Sequence, residues 1–86
     1  MRKIFTENGW DDYIYWQETD IKVLKRINQL LRDIERDQFT GKGKPKPLKG
    51  SHSGWWSRRV DSEHRLVYRV SGDIIEIYQC KGHYDD

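Results

Sequence analysis

The chain has 86 residues, of which 35% are hydrophobic, 13% aromatic and 35% charged. That length makes one domain, residues 1–86, whose small core must rely on the large area each Trp or Tyr buries. Sixteen Lys and Arg against 14 Asp and Glu leave a net charge of only +2, and the one cysteine, Cys80, excludes an internal disulfide. A reducing cytoplasm is the expected home, and no segment is apolar for long enough to span a membrane.

Arg2-Lys3-Ile4-Phe5 reads as a short strand. Thr6 caps the helix that follows, with Glu7 near its positive end. Trp10, Tyr13, Ile14 and Gln17 recur at three- and four-residue steps and are expected on one face. Thr19-Asp20 is a second cap signal. The next helix carries Ile21, Leu24, Ile27, Leu31 and Ile34 on one stripe over about four turns, its charges falling mostly elsewhere. Asp37 to Ser53 holds both prolines and is expected as a loop, with a short extended piece near Pro47-Leu48. Three strands follow, over 54–60, 65–70 and 74–80, the last two joined by a tight turn at Ser71-Gly72-Asp73. The sum is an α+β domain: a short N-terminal strand, then two helices packed on one face of a mostly antiparallel, twisted sheet.

Charge is unevenly placed along this order. Residues 1–40 carry seven basic and eight acidic side chains, whereas residues 41–69 carry eight basic and two acidic. That basic segment also holds Trp55, Trp56 and Tyr68. Cations bind phosphates and flat rings stack on unpaired bases, so a polyanion with exposed bases is the implied partner. Alternation along the middle strand puts Leu66, Tyr68 and Val70 toward the helices and Arg65 and Arg69 away from them. Arg58 and Arg59 face opposite ways, so one of them joins Arg65 in a basic concavity on the helix-free face.

A basic concavity invites RNA cleavage, which needs no metal or cofactor. The ribose 2′-hydroxyl attacks the adjacent phosphorus, a base takes its proton, an acid protonates the leaving 5′-oxygen and a cation stabilises the added charge. His83 can be the acid or the base. Arg65 can hold the phosphate bidentately, and Tyr84 can stack on a base or orient the phosphate. The plain alternatives are a solvated tail for His83 and Tyr84 and a surface ion pair for Arg65, with Glu63 or Glu76. His64 precedes Arg65, faces the other way and reads as a structural hydrogen-bonder. His52 lies in a Gly/Ser loop. One Cys with scattered His gives no metal-site spacing. Cys80 sits in an apolar strand pattern, a poor place for a nucleophile. Gly41-Lys42-Gly43-Lys44 lacks the rest of a phosphate-binding loop, so nucleotide hydrolysis is not expected.

Several runs together resemble the YoeB/Txe toxins: Trp10-Asp11-Asp12-Tyr13, Tyr15-Trp16-Gln17, Gly41-Lys42-Gly43-Lys44-Pro45, Pro47-Leu48-Lys49, Ser57-Arg58-Arg59, Glu63-His64-Arg65-Leu66-Val67-Tyr68 and His83-Tyr84. The resemblance spans nearly the whole chain. It implies the RelE-like fold and a toxin of a bacterial toxin–antitoxin pair that cuts mRNA in the A site of the 70S ribosome. It further implies neutralisation by a YefM-type antitoxin, and a capacity to dimerise. Carried over residue by residue, Arg65 is the phosphate-stabilising arginine, His83 the catalytic histidine and Tyr84 the aromatic beside it. Lys44, Lys49, Arg58 and Arg59 are basic positions near the RNA path. The family motif Gly-x-Gly-Lys-Pro-Glu-Pro-Leu-Lys has a general-base glutamate where this chain has Lys46. A lysine with its ordinary pKa near 10.4 is protonated at neutral pH and accepts no proton. Three readings stay open: an attenuated toxin with His83 as base, an inactive form that still binds ribosome or antitoxin, or a Lys46 whose pKa is depressed enough to act as base. The added Asp85-Asp86 is a second departure, two carboxylates able to repel RNA or pair with Arg65.

Overall fold

The computed structural model describes residues 1–83; Tyr84, Asp85 and Asp86 lie outside the described residues. The elements in chain order are β1 (Arg2–Phe5), α1 (Glu7–Thr19), α2 (Ile21–Arg36), β2 (Lys46–Pro47), a 3-10 turn (Gly50–His52), β3 (Trp56–Arg59), β4 (Arg65–Ser71) and β5 (Ile74–Gln79). The strands form one sheet in the order β1-β5-β4-β3-β2. β1 runs parallel to β5, and every other pairing is antiparallel. This is the expected α+β architecture, its two helices packed on one face of a mixed sheet.

Local chemistry sets the helix ends. The Thr6 hydroxyl accepts from Gly9 N at 3.0 Å and donates to Tyr78 O at 2.9 Å, so one side chain caps α1 and ties it to β5. Gly9 is needed for close approach, since a Cβ there would run into the Ile77 carbonyl. Asp20 both ends α1, donating its N–H to Trp16 O, and starts α2, its carboxylate accepting from Lys22 N and Val23 N. The two helices therefore meet through one residue.

The core holds Trp16, Leu24, Ile27, Leu30, Leu31, Ile34, Val60, Leu66, Tyr68, Ile75, Ile77 and Cys80. A fully buried Leu or Ile contributes roughly 1.5–3 kcal/mol, so the α2 stripe is a main source of stability. Two helix-face expectations need correction. Ile21, in the first turn of α2, is exposed, whereas Leu30 is fully buried, so the apolar stripe runs through Leu24, Ile27, Leu30, Leu31 and Ile34. In α1 the inward line runs through buried Gly9 and Trp16 and half-buried Tyr13, while Trp10 and Gln17 are exposed. The close seat of Gly9 on β5 rotates α1 so that Trp16 points inward, and its Nε1 donates to Cys80 O at 2.9 Å.

The sheet alternates as expected, and the helix-free face is not bare. The segment after β2 closes on itself through Leu48 N donating to Trp55 O and then reaches β5, where the His52 ring lies 6.0 Å from that of Tyr78. Val67 points to that face, yet it is fully buried.

Candidate active site

Opposite the helices is a concavity of about 370 Å³ lined by Lys44, Pro45, Lys46, Ser57, Arg59, Arg65 and His83. Four cationic side chains and an imidazole converge there from β2 and the loop before it, β3, β4 and the segment after β5, with no carboxylate among the described lining residues. A hollow of about 470 Å³ bounded by Lys3, Phe5, Tyr13, Asn28, Leu31, Arg32 and Glu35 is larger, but it gathers no proton-transfer group beyond one carboxylate paired with Lys3. Size does not mark the site; converging charge and imidazole do.

Each lining group has a structural reason for its place. Lys46 pairs with Ser57 across β2 and β3, so both border the concavity, and Lys46 is solvent-exposed. Arg59 and Arg65 are register partners on β3 and β4. The Arg65 Nη1 donates to Asp61 O at 3.0 Å and His64 O at 3.1 Å, which fixes the guanidinium at the rim. Asp61 in turn accepts from the backbone of Glu63 and His64, closing the turn between β3 and β4. Two backbone contacts locate His83: Arg65 N donates to Gly82 O at 3.0 Å, and Gly82 N donates to His64 Nδ1 at 2.8 Å. His64 also meets Trp16 edge-on at 4.8 Å. Its expected structural role is what the geometry shows, and Nδ1 must be the unprotonated nitrogen to accept that bond.

Lys44 has φ 51, in the left-handed region that a residue with a Cβ adopts only at a cost. A buried network lies beneath the loop that carries it. Arg58, with no exposed surface, donates through Nη1 to Asp33 Oδ2 at 2.6 Å and Lys42 O at 3.1 Å. Its Nη2 donates to Asp37 O and Thr40 O, and its Nε to the Tyr68 hydroxyl. Asp33 accepts a further bond from Lys42 N at 2.8 Å. The Lys42 N–H is the first reason its carboxyl sits below the usual carboxylate range, and the Arg58 guanidinium adds to it. Gly41, at φ 117, passes so close to Asp33 that a Cβ would strike the carboxylate.

This corrects one sequence-based expectation. Arg58 does not line the concavity: it faces the helices, is sealed from solvent and is committed to Asp33, Tyr68 and the loop backbone. Sequence alternation showed that only one of Arg58 and Arg59 could face the concavity, and the structure selects Arg59. Lys49 is exposed at the start of the 3-10 turn and does not line the concavity. Tyr84 lies outside the described residues, as does the acidic pair after it. The part of Ser57 was missed; it is the residue between Trp56 and Arg58 and therefore faces outward. Among the described residues no group of three His, Cys, Asp or Glu side chains is placed to hold a metal ion, and no helix is long and apolar enough to cross a membrane.

Cys80 is fully buried, and burial, with a smaller push from Asp12, raises its thiol to about 12. Since the thiolate is the reactive form, alkylation by iodoacetamide at pH 8 is expected to run at least about a hundredfold slower in the native protein than in urea. Equal rates would show that the thiol is accessible.

A family model described as "YoeB-like toxin of bacterial type II toxin-antitoxin system" matches residues 5–84. Toxin YoeB of Streptomyces coelicolor is 57% identical over 84 residues, and toxin YoeB of Escherichia coli K12 is 55% identical over 84; in both cases 98% of this chain and all of the relative are covered. A YoeB/ParE toxin structure from Agrobacterium tumefaciens superposes with a TM-score of 0.94 at 50% identity, covering 98% of this chain and all of that one. The YoeB dimer from Staphylococcus aureus gives 0.92 at 44% identity over 98% of each chain. The same protein in a heterotetrameric YoeB–YefM toxin–antitoxin complex also gives 0.92 at 44%, again over 98% of each chain. A resemblance first carried by short motifs thus extends over the full domain, in sequence and in backbone: the chain belongs to the YoeB-like toxins of bacterial type II toxin–antitoxin systems.

Proposed function

We propose that this toxin is a metal-independent endoribonuclease that cuts mRNA in the ribosomal A site and so blocks translation in the cytoplasm. The observation that carries the reading is the convergence of Arg65, His83, Arg59, Lys44 and Lys46 on one concavity. A phosphodiester seated there meets cations from three strands. Arg65 takes two phosphate oxygens with its guanidinium fork, and Arg59 and Lys44 offset the rest of the backbone charge. His83 takes the proton of the 2′-hydroxyl as its oxygen bonds to phosphorus. The bond from phosphorus to the 5′-oxygen then breaks, leaving a 2′,3′-cyclic phosphate on one fragment and, after protonation, a 5′-hydroxyl on the other. Lys46, where a glutamate is expected, adds charge for the pentacoordinate phosphate. The ribosome supplies the alignment that an open concavity does not, since positioning accounts for much of the barrier in such displacements.

The test is single-turnover mRNA cleavage on purified ribosomes. Arg65→Ala removes a transition-state contact of the kind worth about a hundredfold or more, and His83→Ala removes proton transfer worth about a hundred- to ten-thousandfold. Both variants should melt near the parent temperature, and parent-like cleavage by both would refute the proposal. A second reading, a weak or inactive toxin that still binds the ribosome or antitoxin, is favoured by Lys46 alone. The S. aureus relative in complex with YefM supports a YefM-type antitoxin as partner, and the S. aureus dimer supports self-association as a further property of this chain.

A further inference from the structure

The basic segment contributes three large aromatics, and the fold separates them. Tyr68 is buried in the core, and Trp56 packs against the core and against Phe39 at 5.0 Å. Only Trp55 turns to the helix-free face, where its ring lies 5.6 Å from that of Tyr78, which in turn lies 6.0 Å from His52. The Arg69 guanidinium lies 4.3 Å from the Trp55 ring centroid and is held in place by Glu76 at 2.9 Å. Arg69 and Arg65 point the same way from β4, four residues or about 13 Å apart. The helix-free face therefore carries a cationic concavity at one end and an aromatic, cationic patch at the other, with buried Ser57 and Val67 between them.

From this clustering of rings and a guanidinium on the face that also holds Arg65, we infer that Trp55, Arg69 and Tyr78 form a stacking subsite for an unpaired base of the RNA strand whose scissile phosphate is held at Arg65. The inference rests on the reading of the concavity as an RNA site and extends it. A guanidinium already layered on an indole offers its outer face to a further flat ring. Such layers accept any base, because every base has a π-face. An acidic peptide would find Glu76 in its path, whereas a base stacks without carrying charge to that point. The subsite tolerates sequence and adds affinity; it does not read hydrogen-bonding edges.

The experiment measures binding of two short, uncleavable 2′-fluoro RNAs at low salt. One has every base present. The other is abasic on both sides of the central nucleotide. The parent chain is expected to bind the first roughly five- to a hundredfold more tightly, the range for one stacked base. Trp55→Ala and Arg69→Ala should bring that ratio close to one, while Trp55→Phe keeps most of it. Arg65→Ala should weaken both RNAs by the same factor, since it meets phosphate. Equal binding of the two RNAs by the parent chain overturns the inference even if Trp55→Ala folds poorly. So does an unchanged ratio in a folded Trp55→Ala, or a Trp55→Ala that loses only antitoxin binding. A base-dependent ratio without ribosomal cleavage keeps the subsite and removes the nuclease reading. Cleavage without the ratio does the reverse.

Discussion

Lys46→Glu is expected to raise single-turnover mRNA cleavage on ribosomes by about a hundred- to ten-thousandfold, the usual contribution of a general base. The variant places a carboxylate at the mouth of the concavity, across from Ser57 and beside Arg59 and Arg65. There a carboxylate is ionised at neutral pH, surrounded by cations, and able to take the 2′ proton. Position 46 is exposed, so the exchange leaves the core untouched and the melting temperature should stay within a few degrees. The change also reverses one charge in the cationic concavity, so RNA affinity should fall modestly while the chemical step speeds up. A faster step with weaker binding would identify the parent as an attenuated toxin whose lysine limits proton transfer. Equal chemical rates would place the base elsewhere, with His83 the group that remains. If neither protein cuts, the chain binds without cleaving and the lysine is not the reason.

Arg58→Ala should be the most destabilising single substitution in the basic segment, by about 3–5 kcal/mol, the cost of leaving a buried ionic partner uncompensated. That guanidinium donates five hydrogen bonds, one to the Asp33 carboxylate, three to loop carbonyls and one to the Tyr68 hydroxyl. For a domain of this size the loss corresponds to a melting-temperature drop of more than about 12 °C. Arg58→Lys should recover little, because one ammonium cannot meet Asp33, Lys42, Asp37 and Thr40 in the geometry of a planar fork. Acid should reveal the same network. The Asp33 carboxyl is held below its ordinary value in the fold. Its contribution is therefore fully present above the unfolded-state pKa near 3.9 and is lost as pH falls through the lower folded-state pKa. Urea midpoints measured from pH 7 downward should fall steeply below about pH 4 in the parent, and less steeply in an Asp33→Asn variant that still folds. Parallel curves would show that other carboxylates carry the acid limb.

Lys46 and Arg58 belong to neighbouring layers of one structure. Arg58 and Asp33 lie beneath the loop that presents Lys44 and Lys46. A shift in that network moves the cations of the site without touching RNA. The same layering explains why one arginine of the Arg58-Arg59 pair lines the concavity and the other is buried in the fold.

Much of this protein is determined by sequence alone. Thr6 and Asp20 cap helices because a short side-chain oxygen beside free N–H groups does so wherever the chain puts it. The α2 stripe, the turn at residues 71–73 and the alternation of β4 follow from periods of 3.6 and 2 that need no tertiary partner. A basic concavity holding Arg65 and one of Arg58 and Arg59 was legible as well, since neighbouring residues of a strand face opposite ways. What only the tertiary structure decided depends on contacts distant in sequence. The rotation of α1 that buries Trp16 in place of Trp10 comes from Gly9 meeting Ile77, 68 residues away. The fate of Arg58 depends on Asp33, a charge on an otherwise apolar helix stripe that carries no local mark of its partner. The placement of His83 depends on Gly82 being gripped by His64 and Arg65. Periodicity tells which way a side chain points; what it meets there is set by how the elements close on one another, and a buried charge declares its purpose only when its counter-ion arrives from another element.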